Sequence, residues 1–170
     1  MIVMQPVLET YAPDGFALWP VAGAHGSFLH GLLTLGHLFA AGGLRVTDTS
    51  TGVAFLPGCC DGLEDWRDWY RLIDDGGPLG FGHAPVSPVA ERFGDTVRLT
   101  VNAEQSDSPV IELSVTALRD LLAGAERDLA EFLALAADWA SRHLPDHRAP
   151  VTAALARLVG LPAPGIPPEG

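Results

Sequence analysis

The chain has 170 residues, 48% of them apolar and 18% charged, the composition of a globular domain and not of a disordered chain. Its net charge is −11, from 21 acidic and ten basic residues, and every one of the ten is an arginine. Phosphate contacts need clustered Lys and Arg, so this balance excludes nucleic acid as a partner class. It favours a partner with a basic surface, although excess acid also serves solubility alone.

A chain of 170 residues can bury one sizeable core. One globular domain over residues 1–160 is expected, followed by a Pro- and Gly-rich, disordered tail at 161–170. No apolar run reaches the ~18 residues of a membrane helix. The first residues, MIVMQPVLETYAPDG, carry no basic segment followed by a long apolar run, so no leader peptide is expected. The expectation is a cytoplasmic protein with no membrane contact.

Phe16 to Ala22 reads as a short strand, with Pro20 at an edge or a strand end. From Ser27 to Ala40, Phe28, Leu32, Leu35 and Phe39 recur at helical spacing; Gly31 and Gly36 weaken that pattern, and a helix is the reading adopted. Leu44 to Thr47 and Val53 to Leu56 read as strands joined by the turn DTSTG. Past Pro57 and Gly58 come the adjacent Cys59 and Cys60, and then a helix start. Asp61 is the expected N-cap there, with Glu64 completing a capping box. That helix puts Trp66, Trp69, Tyr70 and Ile73 on one face and Arg67, Asp68 and Arg71 elsewhere, and Asp74 to Pro78 stops it.

Leu79 to Pro88 is a Gly- and Pro-rich loop of the kind that carries binding sites, and it holds His83. Val89 to Phe93 and Thr96 to Val101 read as a hairpin turning at Gly94 and Asp95, with Val97, Leu99 and Val101 inward. Val110 to Val115 is a further strand. Thr116 is expected to cap the longest helix, Ala117 to about His143, whose apolar stripe includes Leu118, Leu122, Leu129, Phe132 and Leu133. Leu144 and Pro145 break it, and Pro150 opens a short final helix to Val159. Strands followed by helices, with hairpin links and no regular βαβ alternation, predict the α+β class. The expected form is an antiparallel sheet of about five or six strands with helices packed on one face.

Two sets of residues carry candidate chemistry. Cys60, with Cys59 beside it, precedes a helix start, where the dipole favours thiolate, and His83 is the available base. Two thiols packed under a turn would look the same in sequence. Glu64, Asp65, Asp68, Asp74 and Asp75 form an acidic surface that would present carboxylates to a basic partner, with Trp66 and Trp69 as anchors if exposed. Tryptophans at that spacing are more often core. His25, His30 and His37 are five and seven residues apart, the wrong spacing for a helical metal pair; Pro145 separates His143 from His147. No metal site and no cofactor are expected. GFGHAP lacks the third glycine of a dinucleotide fingerprint, and no G-x-S-x-G elbow occurs.

The runs LPGCCDGLEDWRDW, GHAPVSPVAERFGDTVRL and LRDLLAGAERDLAEFLA resemble a group of small uncharacterised actinobacterial proteins over roughly Val53 to Trp139. Proteins of that group tend to read GHDPSP in the loop, and Ala84 departs from this, which weighs against catalysis by the loop. The resemblance implies no activity. Size, acidity and layout are similar to those of cytosolic immunity proteins that neutralise partner toxins, an analogy of fold and composition.

The sequence therefore points to a non-enzymatic acidic binding protein, immunity or regulatory, that docks a basic protein through Glu64, Asp65, Asp68, Trp66, Trp69 and the loop at His83. The alternative is a small enzyme or small-molecule binder with Cys60 or Cys59 as nucleophile and His83 as base. A homodimer through the long helix is a third reading, although a stripe so wide is more simply packed on its own sheet.

Overall fold

The computed structural model describes residues 1–12, 15–20, 41–58, 61–82 and 85–163. The first strand, β1 (Ile2–Ala12), pairs antiparallel with β2 (Gly15–Pro20) and with β3 (Gly42–Asp48), and β3 pairs with β4 (Ala54–Phe55). The order in this sheet is β2-β1-β3-β4. In β1, Met4 and Pro6 lie opposite Val46 and Leu44 of β3, and all four are buried. Pro6 cannot donate to a ladder; pairing with β2 begins only at Val7, opposite Pro20, so on that flank Pro6 lies outside the paired segment. The turn DTSTG joins β3 to β4 as expected, and the Asp48 carboxylate accepts from the Ser50 N–H at 2.9 Å.

The second sheet has the order β5-β6-β7-β8, built from β5 (Leu79–Gly80), β6 (Val89–Phe93), β7 (Thr96–Thr100) and β8 (Val110–Ser114), again all antiparallel. The hairpin of β6 and β7 turns at Gly94 and Asp95, and Val97 and Leu99 point into the core with no exposed surface. The α+β class and the antiparallel pairing hold. Among the described residues the strands form two sheets of four in place of one sheet of five or six, and β1 and the two-residue β5 are strands that the pattern did not reveal.

Among the described residues there are three α-helices: α1 (Asp68–Asp74), between the two sheets in the chain, then α2 (Val115–His143) and α3 (Arg148–Leu158). The cap of α2 is Ser114, not Thr116. Its hydroxyl accepts from the Ala117 N–H at 3.1 Å, the geometry that satisfies a first-turn donor. The predicted stripe is the buried face: Leu118, Leu122, Ala125, Leu129, Phe132 and Leu133 are each at most 2% exposed, whereas Leu121 and Trp139 are half-buried. Those side chains join Leu44, Val46 and Phe55 of the first sheet and Val97, Leu99 and Leu113 of the second in one core, so the stripe is used within the chain.

The end of α3 is a Schellman turn. Leu161 N–H donates to the Ala156 carbonyl at 3.0 Å and Gly160 N–H to Arg157 at 3.1 Å, with Gly160 at φ +65°, a conformation that costs glycine little. Leu161 and Ala163 are partly buried and pack against the core. The helix expected at Ser27 to Ala40 and the last tail residues, 164–170, lie outside the described residues. Among the described residues no helix is long and apolar enough to cross a membrane.

Candidate functional site

The region that the sequence singled out is built on three aromatic side chains. Phe55 at the end of the first sheet meets Trp69 edge-on, with ring centroids 5.9 Å apart, and Phe81 likewise at 5.5 Å. Trp69 and Phe81 lie 4.9 Å apart. Edge-to-face contacts between such rings add stability beyond burial alone. They fix the end of β4 against α1 and against the start of the 81–88 loop.

Above them the backbone closes tightly. A Cβ built on Gly58 would lie 1.4 Å from the Phe81 carbonyl oxygen and 2.2 Å from its carbon, so only a residue without a side chain fits. A Cβ on Gly82 would in turn lie 3.6 Å from the Gly58 Cα. The segment leading into the two cysteines and the segment leading into His83 are thus in van der Waals contact. Cys59, Cys60, His83 and Ala84 themselves lie outside the described residues. The loop beyond is anchored by Asn102, which is 6% exposed. Its side-chain oxygen accepts from Ser87 N–H at 3.0 Å and from Glu104 N–H at 3.2 Å, and its amide donates to the Pro85 carbonyl at 3.1 Å. Sequence reasoning missed this residue, since an asparagine in a polar turn gives no sign that it reaches another loop.

The helix start is shifted by one residue from the expected cap. Gly62, not Asp61, caps a 3-10 segment, Leu63–Arg67, which runs into α1. The carboxylate that accepts from Gly62 N–H, at 2.9 Å, belongs to Asp65 and not to Glu64. Asp61 instead accepts from Gly58 N–H at 2.9 Å, bracing the tight turn. Glu64 folds back over Gly62, with its carboxyl 2.5 Å from where a Cβ would stand. One of its oxygens is inaccessible and has no hydrogen-bond partner among the described residues.

Two of these carboxyls have a pKa raised from its ordinary value. For Asp61 the main cause is burial, opposed by the Gly58 N–H and reinforced by the charge of Asp65. For Glu64 it is again burial, opposed by its own backbone N–H and reinforced by Asp65. The nearby arginines are engaged elsewhere. Arg67 donates to the Gly160 carbonyl at 2.8 Å and lies over the Trp66 ring, while Arg92 donates to the carbonyls of Ile73 and Gly94. Arg71 stands 3.6 Å from Asp68, and Arg119 pairs with Asp74 at 3.0 Å. Among the described residues no arginine comes within ion-pair distance of Asp61, Glu64 or Asp65.

The two tryptophans are corrected from candidate contacts to core. Trp66 and Trp69 are each 1% exposed, and Trp66 Nε1 donates to the buried Val159 carbonyl at 2.8 Å. They offer no face to a partner because the 3-10 segment and α1 turn their apolar side inward, with Leu63, Leu72 and Ile73. On the opposite side Asp65, Asp74 and Asp75 are exposed and Glu64 and Asp68 half-buried. His143 stacks on Trp139 at 4.9 Å, and His147 is the last residue of the 3-10 turn Pro145–His147 that follows α2. Among the described residues no group of three or more His, Cys, Asp or Glu side chains is arranged to hold a metal ion.

No protein-family model, curated protein or solved structure matches this chain.

Proposed function

We propose that this protein is a non-enzymatic acidic binding protein, of the immunity or regulatory kind, that docks a basic protein partner through the carboxylates at residues 61–68. The observation that carries this reading is the cluster of Asp61, Glu64 and Asp65, which among the described residues has no arginine partner although four arginines lie on or beside the same elements. Burial, reinforced by the charge of Asp65, disfavours the ionised forms of Asp61 and Glu64. A partner's guanidinium or ammonium group would remove that penalty, and the net charge of −11 would draw it in. Glu64, Asp65, Asp68 and the loop around His83 are the contact residues of this reading.

The test is a tagged pull-down from a lysate of the native organism at low and high salt, using the wild type and the double variant Asp65→Arg/Asp68→Arg. Circular dichroism checks that the variant is folded. One stoichiometric basic protein, lost at high salt and lost by the variant, supports the reading. Equal capture by the variant overturns the placement of the surface.

The second reading, a thiol enzyme or small-molecule binder using Cys60 or Cys59 with His83, is favoured by the contact between Gly58 and Gly82, which makes the two segments neighbours. Local electrostatics weigh against it. Asp61 follows Cys60 directly, the first turn carries Glu64 and Asp65, and a nearby carboxylate raises a thiol's pKa. Alkylation kinetics against pH decide the matter: an apparent pKa at or above ~8.5 removes the case for an activated thiol.

A further inference from the structure

We draw no further inference here: the strongest candidate, the Asp61, Glu64 and Asp65 cluster around the 3-10 segment as a cation-binding or pH-sensing centre, belongs to the surface already described, and no bound ion or fully buried, unpartnered side chain in it points to a ligand.

Discussion

Replacing Gly58 by alanine tests whether the turn before the cysteines is locked against the 81–88 loop. The added methyl would overlap the Phe81 carbonyl at 1.4 Å and approach the Asp61 carboxylate at 2.8 Å. Neither neighbour can yield cheaply. Phe81 N–H is bonded to the Pro88 carbonyl at 2.9 Å, its ring is held by Phe55 and Trp69, and Asp61 is bonded to Gly58 itself. Forcing one extra methyl into a packed site costs about 1–3 kcal/mol even when side chains give way. Against backbone the upper end, about 3 kcal/mol, is expected, or ~6–12 °C in melting temperature for a domain of this size. Gly77 is the control, since nothing lies within 4 Å of its Cβ position. Alanine there should change stability by less than about 0.5 kcal/mol, the range of ordinary surface substitutions. The assay is thermal and urea unfolding of both variants beside the wild type. If Gly58→Ala melts within the scatter of Gly77→Ala, the two segments are not locked, and the contact that makes the thiol and histidine segments neighbours is lost as an argument.

Thr152 on α3 is 6% exposed and its hydroxyl has no partner among the described residues. Thr152→Val removes a stranded polar group at nearly constant volume and should stabilise by ~1 kcal/mol, read as a higher urea midpoint at unchanged slope. A second expectation concerns pH. A carboxyl whose folded pKa is raised binds more protons folded than unfolded between the two values, so stability falls as pH rises through that window. Asp61 and Glu64 should therefore make the fold more stable on acidification from neutrality toward the upper edge of the ordinary carboxylate range. Asp65→Asn should flatten that slope beyond any general relief of net charge, since both groups share the Asp65 charge; an unchanged slope would count against the coupling. Asp48 acts the other way at lower pH. Its pKa is lowered chiefly by the Ser50 hydroxyl, and its contribution is lost as pH falls through a folded value below 3.8.

Local chemistry was legible where it was sufficient. The hairpin from Val89 to Thr100 could be read because a two-residue Gly-Asp turn joins two alternating runs, and α2 because its stripe repeats at three and four residues from Leu118 to Ala140. The strand β1 was hidden by Gln5 and Pro6, which break the apolar pattern; the partner β3 supplies the face that makes Met4 and Pro6 inward. Caps were placed near but not at their residues. Ser114 and Thr116 are both good caps in isolation, and the cap bond is made by Ser114, while the Asp61 carboxylate is taken up by the N–H of Gly58 three residues before it. The apolar face of Trp66 and Trp69 was visible as a periodicity, and its burial followed. The Gly58 approach to Phe81 joins segments from two different sheets, and no short-range pattern encodes it.

With both tryptophans in the core, the proposed surface lacks the aromatic anchors that dominate most interfaces, and its binding energy must come from charge. Exposed carboxylates such as Asp65 mainly govern encounter rate and salt dependence. Glu64 differs, because folding has already withdrawn part of its carboxyl from water, so a partner's guanidinium reaching it has less desolvation to overcome. Charge reversal at Asp65 and Asp68 should accordingly slow association, whereas Glu64→Gln, which keeps the shape and removes the charge, should speed dissociation. Surface plasmon resonance with the captured partner separates the two rates. If Glu64→Gln left dissociation unchanged, the half-buried carboxylate would lie outside the contact, and the surface would act by long-range attraction alone.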